Sequence, residues 1–287
     1  MMQPFTLDRR RAAAWLGLAL LFSLALVPDA SAQRRVPSSA SRRAQRLSPG
    51  ADTRVSADAP HSAAATAASG DYRIDALMSG YKWGTTTITY SFYSDAVFGG
   101  SYYGGEVVSE VSDQVKQNVR AIMAWYGTMM NLNFSEVSET SSRIGLIRIM
   151  RSSGPSYAYA YYPSSDAMFS VTGDVHLNPS YDRLGDTNGF QNPAGEHGYL
   201  ALIHEIGHAL GLKHPFDGSP NLPADEDNHS HTVMSYGFPG ESPGTPMGYD
   251  IMALQYLYGG KAYRASDRKS TRLNSSHTDI SRMPSSA

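Results

Sequence analysis

The sequence predicts a mixed α/β domain over residues 71–265, on the strength of a change in composition and two kinds of apolar periodicity. From the start of this range the chain becomes rich in tyrosine, glycine and methionine, as in a segment that buries a core. Ile88, Tyr90 and Phe92 alternate with polar residues, which is typical of a half-buried strand. Apolar residues at steps of three and four predict one long helix over residues 106–130.

Shorter patterns predict the remaining elements of this domain. Three further strands are expected at residues 143–150, 156–163 and 171–179. A second helix is expected at residues 196–211, where a glycine provides the stop signal, and a last helix at residues 248–258.

Composition and charge exclude several kinds of site. The chain of 287 residues has a formal net charge of -2, so the chain as a whole does not suit binding to nucleic acid. It contains no cysteine, which excludes a disulfide scaffold, a thiolate metal site and a cysteine nucleophile. Any metal must therefore be bound by His, Asp, Glu or Tyr.

The N-terminal segment predicts export. Three arginines at positions 9–11 precede the apolar run AAAWLGLALLFSLALV, and Ala30-Ser31-Ala32 supplies a cleavage site of the small-x-small type. Residues 1–32 thus predict a signal peptide, with the mature protein secreted to the extracellular space or the periplasm and not stably inserted in a membrane. The alternative is an uncleaved anchor, although the apolar run is short for roughly 30 Å of hydrocarbon.

Both flanks of the domain differ from it in composition. Residues 33–70 are rich in Ala, Ser and Arg and nearly lack aromatic and branched aliphatic side chains, so they predict a disordered linker or a pro-segment. Residues 268–287 lose all apolar periodicity and resemble translated sequencing-adapter or vector sequence. We expect a non-native tail there, so the absence of a downstream domain from this sequence does not indicate that the natural protein lacks one.

The segment HEIGHALGLKH at residues 204–214 carries the chemistry. His204 and His208 lie one turn apart on one face of the predicted helix, a separation that suits two ligands of one zinc ion. Gly211 can adopt a left-handed backbone and end the helix, which lets the chain turn back and bring His214 to the same ion. Three neutral nitrogens leave a fourth coordination position for water, as in catalytic rather than structural zinc sites.

Glu205, offset by one residue from the first histidine, is the predicted general base. We expect it to take a proton from the zinc-activated water and to pass that proton to the leaving amine. The sequence therefore predicts a zinc-dependent endopeptidase. Two alternatives stay open: a secreted zinc-binding or adhesive module without catalysis, and a zinc amidase acting on cell-wall material.

The histidine segment and HTVMSYG at residues 231–237 together resemble the metzincin clan of zinc proteases. Three features narrow the resemblance to the serralysin family: Pro215 after the third histidine, the pair Ser235-Tyr236 after Met234, and PMGYDIMALQYLYG at residues 246–259. SGYKWG at residues 79–84 and GDVHLNP at residues 173–179 are also similar to serralysin catalytic-domain sequence. The resemblance covers roughly residues 71–260.

The resemblance implies an architecture and further site residues. It implies a metzincin-type α/β (α+β) domain with a twisted, mostly parallel sheet, long helices and an active-site cleft. Met234 would lie beneath the metal as a hydrophobic floor. Tyr236 would be an additional zinc ligand and, on substrate binding, would swing away to stabilise the oxyanion. The strand near residues 171–177 would be the edge strand along which a protein or peptide substrate binds in extended form.

The sequence departs from the family in two respects. Glycine- and aspartate-rich calcium repeats commonly follow the protease domain and none appears here, so calcium binding is left open. The N-terminal signal indicates an export route other than the dedicated channel used by many members. We expect a monomer that binds no nucleic acid.

Four other histidines of the domain lie outside the motif. His176 lies on the polar face of its predicted strand, and we expect it at the surface or in the cleft rather than on the metal. His197 lies about two turns before the first ligand and is not expected to point at the same ion. His229 and His231 lie in a polar loop, where a contact with metal or substrate is left open.

Overall fold

The computed structural model of the protein describes residues 63–164, 171–237 and 240–261. The predicted signal peptide (1–32) and the predicted tail (268–287) lie outside these residues. Within the described ranges, every helix is too short or too polar to cross a bilayer.

A six-stranded sheet forms the centre of the fold. Its strands are β3 (Thr87–Phe92), β4 (Val108–Ser109), β5 (Asn133–Glu136), β6 (Ile147–Ser152), β7 (Ala158–Ala160) and β8 (Asp174–Leu177). The order is β5-β3-β6-β8-β7, and β4 pairs with β6 off this path. The pairs β3–β5, β3–β6 and β6–β8 are parallel, whereas β7–β8 and β4–β6 are antiparallel. The mostly parallel sheet is therefore confirmed.

Two long helices share one core with this sheet. The described helices are α1 (Tyr72–Asp75), α2 (Asp95–Phe98), α3 (Asp113–Met129), α4 (His197–Ala209) and α5 (Gly248–Tyr258). The apolar stripe of α3 and most of α4 are buried with Ile88, Ile147 and Val175 of the sheet. Helix α5 has the predicted bounds.

Helix α3 begins later than the predicted range 106–130. Its N-cap is Ser112, whose Oγ accepts a hydrogen bond from the Val115 N–H at 3.4 Å. Val108 and Val111 are buried, but the first lies in β4 and the second precedes the cap. Their spacing continues the helical pattern, which is why periodicity alone extended the helix too far.

Residues 63–70 belong to the folded domain, which corrects the predicted start at residue 71. Ala63–Ala65 form β1, which pairs antiparallel with β2 (Tyr81–Trp83). The Asp75 carboxylate accepts hydrogen bonds from the N–H groups of Ser69 at 2.7 Å and Gly70 at 3.1 Å. Pairing through the main chain needs no large side chains, so composition gave no sign of it.

The predicted substrate strand lies inside the sheet rather than at its edge. Strand β8 pairs with β6 on one side and β7 on the other, which corrects the expectation for residues 171–177. Among the described strands, β7 lies at that edge. Asp174 and His176 are buried because both faces of β8 are covered. The sequence predicted a position at the surface or in the cleft for His176, and the surface position is wrong. The Tyr102 hydroxyl lies 2.9 Å from His176 Nε2.

The other face of the sheet carries a second, smaller core. Its buried apolar members are Tyr93, Tyr102, Val108, Met150, Tyr159, Tyr161 and Val171. Arg148 is buried there and donates to Glu139 through Nε at 2.7 Å and Nη2 at 2.9 Å. Its guanidinium lies 4.7 Å from the ring centre of Tyr93 and 4.6 Å from that of Phe98. This buried ion pair joins β6 to the loop before it.

Candidate metal centre

Helix α4 places His204 and His208 side by side in the interior of the domain. Their Nε2 atoms lie 2.9 Å apart. After the helix, Gly211 has φ +105°, and a Cβ there would lie 2.5 Å from the carbonyl oxygen of Tyr81. A glycine is therefore required both for the left-handed turn and for the close approach to β2.

The turn brings His214 back to the helix. Its Nε2 lies 3.2 Å from that of His204, and the ligand atoms of the three histidines all lie within 4.8 Å of one another. Two nitrogens bound to one zinc ion at about 2.0–2.1 Å in tetrahedral geometry lie about 3.4 Å apart, close to these separations. The structure thus brings the three predicted histidine ligands together.

The outer nitrogens of the three rings fix the direction of the inner ones. For His204, His208 and His214 in turn, Nδ1 lies 2.8 Å from Val233 O, 2.7 Å from Leu212 O and 3.1 Å from Asp217 Oδ2. Because a carbonyl or carboxylate oxygen only accepts, each Nδ1 carries the proton in a neutral ring. The three Nε2 lone pairs then converge, and none of the three rings supplies a proton between them. A cation satisfies that arrangement, so these residues fit a bound metal ion.

Burial keeps the three rings neutral. It lowers the pKa of His204 to about 3 and that of His214 to about 4. Burial and the neighbouring histidines lower the pKa of His208 well below its usual range. Neutral imidazole is the form that binds metal, so near neutral pH the site needs no deprotonation before it binds.

Glu205 follows His204 on helix α4 and is 2% exposed. Its Oε2 has no hydrogen-bond partner among the described residues. Burial raises the pKa of Glu205 to about 8, whereas a cation on the neighbouring imidazoles would favour the ionised form and oppose this shift. A buried carboxylate oxygen without a partner, on the helix that carries two of the three histidines, is suited to exchange a proton with a small molecule that reaches it.

Met234 and the turn around it lie beneath the helix. Met234 is fully buried, and a Cβ on Gly207 of α4 would lie 2.9 Å from its sulfur, so the turn and helix are in close contact. Asp250 of α5 anchors this turn: its Oδ2 accepts from the N–H groups of Val233 at 2.9 Å and Met247 at 2.7 Å. Burial raises the pKa of Asp250 to about 6.

Tyr236 extends from the turn to the open side of the histidine cluster. Its hydroxyl lies 2.8 Å from His214 Nε2, and its side chain is 39% exposed. Phe216 stacks on the His214 ring with centroids 4.9 Å apart and lies 5.0 Å from the Tyr236 ring. The phenol oxygen thus lies near the point where the imidazole nitrogens converge, and aromatic rings flank it.

The other histidines in the part of the chain that the structure describes do not join the cluster. His197 lies against Tyr157, with its Nδ1 3.2 Å from the hydroxyl. His229 bonds to the carbonyl oxygen of Ser235, and His231 lies near the Tyr249 ring. As the sequence predicted, His197 does not point at the three ligands. His229 and His231 are not part of the histidine cluster either.

Sequence reasoning missed the groups that orient the rings. Two of them are main-chain carbonyls, at Leu212 and Val233, and a carbonyl has no residue identity to reveal it. Asp217 carried a usable signal, since a carboxylate three residues after His214 can reach its ring. The spacing of Phe216 and Asp250 from the three histidines did not indicate that Phe216 stacks on His214 or that Asp250 anchors the turn.

Comparisons with known proteins agree with this geometry. The chain is 30% identical over 199 residues to serralysin of Proteus mirabilis, covering 60% of this chain and 40% of the relative. It is 34% identical over 163 residues to serralysin A of Dickeya chrysanthemi, covering 51% and 33%. It is 28% identical over 220 residues to metalloprotease AprA of Pseudomonas entomophila (strain L48), covering 67% and 44%.

No protein-family model matches the chain. The chain spans 33% to 44% of the length of these three curated relatives. Several relatives from different organisms nonetheless carry the name serralysin. The mostly parallel sheet agrees with the fold that this resemblance implies. The sequence similarity and the mostly parallel sheet together support a serralysin-like metzincin.

Proposed function

We propose that the protein is a secreted zinc-dependent endopeptidase. The observation that carries this proposal is the convergence of three neutral imidazole nitrogens, together with Glu205 on the same helix as two of them. The Oε2 atom of Glu205 is buried and has no hydrogen-bond partner among the described residues. A purely structural zinc site has no need of that carboxylate, which counts against an inactive zinc-binding module. The names of the relatives point in the same direction.

His204, His208 and His214 would hold the zinc ion, with the Tyr236 phenol as an additional ligand. When bound there, zinc supplies Lewis acidity, which polarises a scissile carbonyl and lowers the pKa of water. Glu205 Oε2 accepts the proton of the attacking water as the new C–O bond forms. The same carboxyl then donates that proton to the amine nitrogen as the C–N bond breaks. Burial raises the pKa of Glu205 and therefore stabilises the protonated carboxyl that exists between the two proton transfers.

Tyr236 would stabilise the negative charge that develops on the carbonyl oxygen. Its hydroxyl can donate a hydrogen bond to that oxygen once the side chain has turned from the metal. Its exposure of 39% leaves the ring room to turn.

The substrate would bind as an extended peptide along β7 rather than along the strand predicted from the sequence. Strand β7 lies at the sheet edge and leads to Tyr162, whose ring centre lies 5.5 Å from that of His208. A peptide that adds to this edge would pass in front of the histidine cluster.

Export by the N-terminal segment belongs to the same proposal. Calcium binding and a monomeric state stay predictions.

Removal of zinc is expected to abolish proteolysis. Because the imidazoles are neutral and preformed, a strong chelator should strip the ion without unfolding the chain, and added zinc should restore activity. The measurement is casein hydrolysis by the purified protein before and after treatment with 1,10-phenanthroline, with circular dichroism to follow the fold.

Two controls make this experiment decisive. Calcium added to the stripped protein should restore nothing. Purified cell-wall material should stay intact under conditions that degrade casein. Hydrolysis of cell-wall amides without hydrolysis of casein would replace the endopeptidase proposal with the amidase alternative, and zinc binding without any hydrolysis would favour the inactive module.

A further inference from the structure

One residue fixes the main chain on both sides of Tyr236. The N–H of His229 donates to the carbonyl of Gly237 at 3.0 Å. The ring Nε2 of His229 donates to the carbonyl of Ser235 at 2.8 Å. Ser235 and Gly237 are the two chain neighbours of Tyr236, so these bonds bracket it.

We infer that His229 is a positioning residue that immobilises the backbone of Tyr236, so that the phenol leaves and regains the metal by side-chain rotation alone. This inference rests on the proposed function, in which Tyr236 acts first as a ligand and then on the oxyanion. His229 itself touches neither metal nor substrate. Its inferred effect on Tyr236 is exerted through the two carbonyls of the turn.

The surroundings of the bracketed segment agree with a fixed main chain. Ser235 is 1% exposed and His229 is 5% exposed, so water does not compete for the bond between them. The Gly237 N–H donates to Ser235 Oγ at 3.0 Å. A Cβ on Gly237 would lie 2.6 Å from the carbonyl oxygen of Asp227, so the two segments are in direct contact on this side.

The side chain of Tyr236 differs from its backbone in this respect. It is 39% exposed, and its hydroxyl reaches His214 Nε2 at 2.8 Å. Rotation about the first two side-chain torsions moves a phenol oxygen by several ångströms while the Cα stays in place. A fixed pivot returns the oxygen to the same point in each cycle, and an error of about 1 Å at such a point is costly to catalysis.

The chain offers matched variants for a test. His229→Leu removes the ring donor, and His229→Gln keeps an N–H donor at similar reach. His231→Gln is the control, because His231 is a nearby histidine whose ring lies by Asn228 Oδ1 and Tyr249 and not by the Tyr236 segment. Tyr236→Phe removes the hydroxyl through which His229 is inferred to act.

In kinetic terms, His229→Leu is expected to lower kcat for peptide hydrolysis roughly 10- to 100-fold with KM nearly unchanged. His229→Gln should recover most of the loss, and His231→Gln should resemble the unaltered protein. In the Tyr236→Phe background, His229→Leu should have no further effect on kcat. Equal losses in the two backgrounds would overturn the inference, because they would mean that His229 acts independently of the phenol.

A second readout does not depend on turnover. In protein loaded with copper(II), coordination by a phenolate produces a charge-transfer absorption that Tyr236→Phe should abolish. His229→Leu should weaken or broaden this band, while His231→Gln leaves it intact. An unchanged band in His229→Leu, or no band before any substitution, would contradict the inference. A clear band in a protein without proteolysis would instead sustain the positioning role and contradict the proposed function.

Thermal melting followed by circular dichroism establishes that each variant folds. If His229→Leu does not fold, His229→Asn replaces it in both experiments, because the shorter amide falls short of Ser235 and stays polar. The same outcomes then apply to that variant.

Discussion

Replacing Glu205 with glutamine is expected to lower kcat by about 10²- to 10⁴-fold while one zinc ion stays bound. The amide keeps the size of the side chain, but it cannot take a proton from water or return one to the amine. The three imidazoles and their outer acceptors are untouched, so metal content should not change. The measurement combines zinc content by atomic absorption with turnover of a quenched fluorescent peptide.

A matched control lies at the start of the same helix. Glu196 precedes α4 as its N-cap residue and its side chain makes no capping hydrogen bond, so Glu196→Gln should leave turnover unchanged. Full activity in Glu205→Gln would exclude Glu205 as the general base. A large loss of zinc in that variant would show that the carboxylate contributes to metal binding instead.

Removing the charge of Arg148 is expected to destabilise the domain by about 3–5 kcal/mol, the usual cost of leaving the partner of a buried ion pair uncompensated. The side chains of Arg148 and Glu139 are 1% and 0% exposed, so water cannot reach the Glu139 carboxylate to solvate it when the guanidinium is lost. Glu139 also accepts from the Ser91 hydroxyl at 2.8 Å and the Ser94 N–H at 3.0 Å, which ties three segments to this carboxylate. Arg148→Met should therefore lower the free energy of unfolding measured by urea denaturation.

A surface pair in the same chain provides the comparison. Arg120 bonds to Glu136 at 2.7 Å, but the two side chains are 45% and 35% exposed. Arg120→Met should cost less than about 1 kcal/mol, because exposed pairs are screened by solvent. Similar losses for Arg120→Met and Arg148→Met would contradict the role assigned to the buried pair.

The candidate site was the most predictable part of the molecule because its constraints are local. The four-residue spacing of His204 and His208 fixes their common face, and the only residue type that fits the turn after the helix is glycine. These two features were enough to predict that His214 returns to the cluster. Helix α5 was likewise bounded correctly, since its apolar residues and flanking glycines are contiguous in sequence.

The errors arose where long-range pairing decides the outcome. Whether β8 is an edge or an interior strand depends on β7, which precedes it in the chain and pairs antiparallel with it. Burial of Asp174 and His176 follows from the second core on the far face, which the alternating pattern did not indicate. The pairing of Ala63–Ala65 with β2 uses main-chain groups that an alanine-rich sequence does not reveal.

X-ray absorption at the zinc edge of the purified protein tests the central claim most directly. The account predicts one zinc ion per chain with three imidazole nitrogens at about 2.0–2.1 Å, and loss of one imidazole in His214→Ala. A sub-stoichiometric metal content, or a spectrum that fits fewer than three imidazoles and does not change in His214→Ala, would contradict it.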